Sequence, residues 1–275
     1  MGGYQLEDLL HDGQNSRVYR ASRAADGQRV VVKIANPGRL NLERRARLRR
    51  EYEILRGIDD GCVVKALGLE RLGEHEALVL EDFGGVSLRE RAFADPMEIG
   101  EFLRLALRLT AGVAAIHARG VVHLDLKPSN ILLNPATGRV AIADFSISSQ
   151  LSRERRDLAA TSELEGTLAY MSPEQTGRMN RSVDYRSDYY SLGVTFYQLL
   201  TCTLPFDADD PGALVHAHIA RAPAPPHDRR PELPRALSDI VLKLMAKTAE
   251  LRYQSARGLA ADLQRCLAEW DAQGA

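Results

Sequence analysis

The chain changes texture at Gly84-Gly85. Upstream, apolar residues come in short β-branched runs. Val30-Val31-Val32 follows Asp26-Gly27, a hairpin-turn pair, and further apolar stretches lie at 63–69 and 77–80. One interval departs from this: over 40–58, Leu48, Tyr52 and Leu55 recur at helical spacing. Downstream, Leu103, Ala106, Leu107, Thr110, Val113, Ala114 and His117 mark one face of a long helix that Gly120 is placed to stop. Helical patterns return near 187–200, 211–220, 237–247 and 255–270, and Pro223, Pro225, Pro226, Pro231 and Pro234 mark an irregular connector. Strand texture followed by helical texture predicts an α+β fold in two lobes. The small β-rich lobe spans about 4–82 with one main helix, the hinge about 81–85, and the larger, mainly helical lobe about 86–270.

The 275 residues suit a single domain, 1–275, with a ligand cleft between its lobes. Lys and Arg number 36 against 37 Asp and Glu, so no global field points to nucleic acid or a membrane surface. The most apolar helical stretch, 102–117, carries Arg104 and Arg108 and falls short of the ~20 apolar residues a bilayer requires. The start, Met1-Gly2-Gly3-Tyr4-Gln5, has no signal-peptide pattern. Cys62, Cys202 and Cys266 form no CxxC pair, which argues against a disulfide framework or zinc site and fits a reducing cytoplasm. The run Arg44, Arg45, Arg47, Arg49 and Arg50 reads as a solvated helix face rather than an anion site.

The chemistry concentrates in His123-Leu124-Asp125-Leu126-Lys127-Pro128-Ser129-Asn130, followed by Asp144-Phe145-Ser146 after a strand-like run at 140–143. Phosphoryl transfer needs such a set: a carboxylate to orient the attacking hydroxyl, oxygen ligands for Mg²⁺, and a cation to offset charge on the transferring group. Together these segments resemble the catalytic loop and metal-binding motif of the eukaryotic-like serine/threonine protein kinases.

That resemblance covers about residues 4–270 and implies a bilobal protein-kinase-like fold that uses ATP and Mg²⁺. By its pattern Asp125 accepts the hydroxyl hydrogen bond, Lys127 offsets γ-phosphoryl charge, and Asn130 and Asp144 hold the metal. Lys33, ending Val30-Val31-Val32-Lys33, resembles the lysine on the α/β-phosphates, with Glu51 as its helix partner and Glu53 a poorer one. Leu80-Glu81-Asp82-Phe83-Gly84 resembles the hinge. Backbone groups near Glu81 and Phe83 would bind adenine, Leu80 would be the gatekeeper, and Val18 and Val31 would line the nucleotide site. The glycine-rich loop matches poorly. Anchored on Val18, its three glycine positions fall on His11, Gly13 and Ser16, leaving only Gly13 for close backbone approach to phosphate.

Downstream, Gly166-Thr167-Leu168-Ala169-Tyr170-Met171-Ser172-Pro173-Glu174 resembles the segment that docks a protein substrate, with Thr167 bonding the catalytic residues and marking serine/threonine specificity. Glu174 would pair with Arg252, and Asp188 would brace the catalytic loop from below. The longer stretch 164–181 resembles the kinase module at the front of large bacterial sensor proteins, which implies adjacent sensor or ATPase domains in a longer protein.

Two departures matter. Leu124 stands where many kinases carry an arginine that receives an activation-loop phosphate, so activity is expected not to depend on phosphorylation at such a clamp. Ser146 replaces a glycine and should restrict a backbone flip beside Asp144. Ser146, Ser148, Ser149, Ser152, Thr161 and Ser162 are candidate autophosphorylation sites, although a polar surface loop accounts for each singly. An active protein kinase is the leading reading. A nucleotide-binding pseudokinase scaffold and a small-molecule phosphotransferase are the alternatives.

Overall fold

A computed structural model describes residues 3–13, 15–36, 41–150, 168–208 and 210–273. Strands β1 (Tyr4–Asp12), β2 (Ser16–Arg23), β3 (Arg29–Ala35), β4 (Ala66–Leu72) and β5 (His75–Glu81) form one antiparallel sheet in the order β1-β2-β3-β5-β4. Strand alternation sorts its two faces. Val30 and Val32 turn to one side with Ala21, Ala77, Val79 and Leu72, making a small separate core. Val31 and Lys33 turn to the other side, where their cross-strand partners are Leu80 and Leu78. That second face looks into the cleft and onto helix α1 (Asn41–Leu55), whose Leu48, Ile54 and Leu55 join the main core.

The basic residues of α1 are not simply solvated, as the sequence suggested. Arg49 reaches Glu76 on β5 at 2.8 Å, with Arg45 at 3.5 Å from the same carboxylate. Arg44 bonds the Asn36 carbonyl at 3.3 Å. The β4–β5 hairpin brings Glu76 beside the helix, a juxtaposition that periodicity does not encode.

After the hinge come β6 (Val86–Ser87), α2 (Arg91–Ala94) and α3 (Ile99–Ala118). The Glu98 carboxylate caps α3 by accepting from the amides of Gly100 and Glu101, and Gly120 leaves it at φ 67°. Strands β7 (Val121–Val122), β8 (Ile131–Leu133), β9 (Val140–Ile142) and β10 (Ser149–Gln150) form the short sheets β6-β8-β9 and β10-β7 on either side of residues 123–130. Among the described residues that follow, the α-helices are α4 (Arg186–Thr201), α5 (Pro211–Ala220), α6 (Pro226–Arg229), α7 (Arg235–Leu244) and α8 (Ala256–Ala272). No helix among the described residues is long and apolar enough to cross a membrane.

Helix α4 is buried from Ser187 to Leu200. A Cβ on Gly193 would lie 2.7 Å from Leu244 Cβ, so only glycine lets α4 and α7 approach this closely. Several of its buried polar residues bond the neighbouring loops. Thr195 Oγ1 donates to the Leu126 carbonyl at 3.4 Å, and Gln198 Oε1 accepts from Tyr170 OH at 2.5 Å.

Candidate active site

Three residues from distant parts of the chain meet at the back of the cleft. Lys33 Nζ lies 2.8 Å from Glu51 Oε2 and 2.8 Å from Asp144 Oδ1. Glu51 Oε1 also accepts the Phe145 amide at 3.2 Å, tying α1 to the segment Asp144-Phe145-Ser146. Burial alone would depress the Lys33 ammonium. Asp144 and Glu51 outweigh it and hold the pKa above that of ordinary lysine. Asp144 is likewise pushed up by burial but held well below the usual carboxylate range by Lys33 and Ser146. It stays ionised, with 39 % of its side chain accessible. Glu53 instead pairs with Arg56 on the exposed face of α1.

Asp125 sits opposite, 8 % exposed. Its Oδ1 is 2.8 Å from Lys127 Nζ, and its Oδ2 accepts from Asn130 Nδ2 at 2.8 Å. Asn130 Nδ2 also donates to the Asp125 carbonyl at 2.9 Å. Burial lifts the Asp125 carboxyl above its ordinary value, with Lys127 opposing. The β8–β9 pair sets the facing of the two motifs: Ile131 pairs with Ile142, and the Ala143 amide donates to the Asn130 carbonyl at 2.9 Å. His123, fully buried, packs edge-on to Phe145 and bonds the Ala143 carbonyl at 3.2 Å.

Asp188 supports this loop from α4. Its carboxylate accepts the amides of His123 and Leu124, each at 2.8 Å, and His117 Nε2 lies 2.8 Å from the same group. Leu124 and Asp144 take φ of 67° and 64°. A left-handed non-glycine residue costs of order 1–3 kcal/mol and persists only where its surroundings over-determine it. The Asp188 and Lys33 contacts do so here. In the segment Asp144-Phe145-Ser146 the positive φ thus falls on Asp144 and not on Ser146, so the backbone there is one that a serine adopts without strain.

At the hinge, Val31 and Leu80 face the cleft as a cross-strand pair. The Glu81 carboxylate takes a two-pronged pair from Arg139, at 2.7 and 3.1 Å, and Arg139 lies 4.6 Å over the Phe83 ring. Asn134 Nδ2 donates to the Phe83 carbonyl. In the hinge segment near Glu81 and Phe83, where adenine is expected, the Phe83 carbonyl thus already accepts one hydrogen bond from behind. Sequence reasoning missed Arg139 and Asn134, because both lie in the β8–β9 turn far from the hinge in sequence. Val18 pairs with His11 on one side and Lys33 on the other. Gly13 lies in the β1–β2 turn, its amide donating to the Ser16 carbonyl at 3.1 Å and its carbonyl held by Asn36. The His11 ring lies against it: a Cβ on Gly13 would come 2.7 Å from His11 Nε2.

The docking segment is anchored to the helical lobe. Arg252, 2 % exposed, grips Glu174 with bonds of 2.6 and 2.8 Å, and Ser187 Oγ donates to the same carboxylate at 2.7 Å. Thr167, together with Ser152, Thr161 and Ser162, lies outside the described residues. Ser148 is buried and donates to the His123 carbonyl at 3.1 Å, which removes it as an accessible acceptor.

Comparison with protein families matches residues 4–263 to the protein kinase domain. The chain belongs to that family. The kinase domain is 33 % identical over 268 residues to the serine/threonine-protein kinase pkn2 of Myxococcus xanthus, covering 94 % of this chain and 32 % of the relative. It is 32 % identical over 274 residues to the serine/threonine-protein kinase PknB of Mycobacterium tuberculosis, covering 95 % of this chain and 42 % of the relative. A probable serine/threonine-protein kinase of Streptomyces coelicolor is 32 % identical over 275 residues, covering 97 % of this chain and 40 % of the relative. The chain thus spans 32–42 % of the length of these relatives. Their likeness supports serine/threonine kinase chemistry.

Proposed function

We propose that this domain transfers the γ-phosphoryl of ATP to a serine or threonine hydroxyl of a protein in bacterial signalling. The observation that carries the reading is the assembled cleft: Lys33 fixed between Glu51 and Asp144, facing an Asp125 oriented by Lys127 and Asn130.

The donor set suits a small hard cation. Asp144 is ionised and partly accessible. Asn130 commits its Nδ2 to Asp125, and its Oδ1, which accepts a long bond from Ser129 Oγ at 3.3 Å, keeps a second lone pair that a metal would use. A carboxylate and an amide oxygen are the donor types Mg²⁺ accepts alongside phosphate oxygens. Asn130 and Asp144 would hold that ion, which supplies neutralisation of phosphate charge. Lys33 would orient the α/β-phosphates, its ammonium guaranteed by two carboxylates. Asp125 accepts the hydroxyl hydrogen bond and, late in transfer, the proton. Its raised pKa brings it closer to that task. Lys127 offsets charge on the γ-phosphoryl. Since there is little covalent work for side chains, positioning and electrostatics carry the rate. Thr167 is proposed to bond the catalytic residues.

The docking segment before Glu174 and the Glu174–Arg252 anchor favour a protein substrate over a small molecule. The resemblance of 164–181 to sensor-protein modules, with the small share of each relative that is covered, supports a place beside sensor or ATPase domains in a longer cytoplasmic protein. The test is transfer from labelled ATP with Mg²⁺ to a generic protein substrate, run beside Asp125→Asn. Label on serine or threonine that disappears in the variant is the expected result. Absence of transfer by folded wild-type protein that still binds ATP would sink the proposal.

A further inference from the structure

One buried side chain joins the docking segment to the catalytic loop, and the mechanism above makes no use of it. Gln175, 3 % exposed, sits in the short helical turn Pro173–Thr176. Its Oε1 accepts from the Ser172 amide at 3.1 Å and from Ser172 Oγ at 2.9 Å, closing a capping box. A cap needs only that oxygen. The other end of the amide, Nε2, donates to the Leu124 carbonyl at 3.0 Å. That carbonyl belongs to the peptide unit that carries the nitrogen of Asp125. On the far side of Leu124, Asp188 holds the amides of His123 and Leu124. The left-handed turn that aims Asp125 is therefore clamped from α4 on one side and from the docking segment on the other.

We infer that Gln175 is a positioning residue for the protein substrate, holding the docking segment in register with Asp125 through a buried, uncharged hydrogen bond rather than a phosphate–arginine pair. The inference rests on the kinase reading above. Leu124 offers no cation to a phosphate, and its side chain is buried. The cross-link that is present is an amide to a carbonyl, and forming it requires no added charge. The Ser172 end of the brace is fixed in turn, because the adjoining Glu174 is locked by Arg252 and Ser187.

Two substitutions separate this role from simple capping. Gln175→Glu keeps the oxygen that Ser172 needs but sets a carboxylate oxygen against the Leu124 carbonyl, so only the cross-link fails. Gln175→Met removes both. Loss of an oriented hydrogen bond predicts about a tenfold fall in kcat/KM for the protein substrate in both variants, with the KM for ATP unchanged. Wild type stripped by a phosphatase should keep its rate. Equal losses toward ATP and protein substrate, a Gln175→Glu variant indistinguishable from wild type, or a phosphatase-treated enzyme slowed tenfold or more would each overturn the inference. If wild type transfers no phosphate at all, the kinase reading fails instead, and hydrogen exchange decides the brace. Amides at 124–126 and 168–172 should then exchange faster in Gln175→Glu while those of α4 do not change, and unchanged exchange at both segments would overturn it.

Discussion

The floor and the roof of the cleft are held in different ways. Below, the loop that carries Asp125 and Asn130 rests on buried α4, where Asp188 bonds the amides of His123 and Leu124, Thr195 bonds the Leu126 carbonyl and Gln198 bonds Tyr170, while Asp144 is held by Lys33. Above, the β1–β2 turn keeps one glycine, at position 13, fixed by a bond to Ser16 within the turn and one from Asn36 just past β3, and overlaid by His11. The floor is over-determined by contacts from far along the chain, so it tolerates two left-handed non-glycine residues. The roof depends on local backbone freedom, and its sequence departs furthest from the family pattern. Chemistry is expected to be robust, and nucleotide affinity adjustable.

The floor should show the largest effects. Asp125→Asn is expected to lower kcat by about 10²–10⁴-fold, the usual yield of a positioned base, measured as the initial rate of phosphoryl transfer. Loss of less than tenfold would mean that the floor does not set the chemistry. Because burial raises the Asp125 pKa, its base form is lost as pH falls through a value above that of ordinary aspartate. The acid limb of the kcat profile should lie there, and a limb at the ordinary value would remove burial as the cause.

The next effect is on stability. Arg252→Ala strands the buried Glu174 carboxylate, and breaking such a pair costs about 3–5 kcal/mol in denaturant unfolding. Burial pushes Glu174 up, but Arg252 and Ser187 hold it below ordinary glutamate. Its folded pKa is thus depressed, so its contribution is complete above the unfolded value and is lost as pH falls through the folded one. Wild-type stability should decline across that acid window, and less steeply in Arg252→Ala. Parallel curves would show that Glu174 is not linked to folding.

The roof gives smaller numbers. Restoring glycine at His11 and Ser16 together should lower the KM for ATP by about three- to tenfold and leave kcat alone, since backbone approach to phosphate becomes freer. A changed kcat with constant KM would break the contrast drawn between roof and floor. Smallest of all, Arg139→Ala removes a partly exposed pair behind the hinge. Such pairs are worth about 0.2–1 kcal/mol, so the KM for ATP should rise by no more than about fivefold in a steady-state titration.

Much of this was legible in the chain. Three β-branched residues ending in Lys33, a charged helix carrying Glu51, and the segments 123–130 and 144–146 were enough to mark residues that the fold does bring together in the cleft. Gly120 was read as a helix stop and has the positive φ that such a stop requires. The basic face of α1 was misread as solvated because Glu76 is brought beside it by a hairpin. Neither Gln175 nor Arg139 stood out, since a glutamine after Glu174 and an arginine in a turn are ordinary by composition.

The sequence by itself determined the residue types, their order and the periodicity that turns Val31 and Lys33 to one face of a strand and Val30 and Val32 to the other. Local sterics and hydrophobic alternation act over a few residues and can be read there. Only the tertiary structure decided which groups share a bond across long separations: Lys33 with Asp144, Asp188 with the amides of His123 and Leu124, Gln175 with the Leu124 carbonyl, Arg139 with Glu81. Those pairings are set by how buried α4 and the sheet pack against the loops between them. A buried polar group takes the partner that packing presents, and no local pattern in the chain specifies that partner in advance.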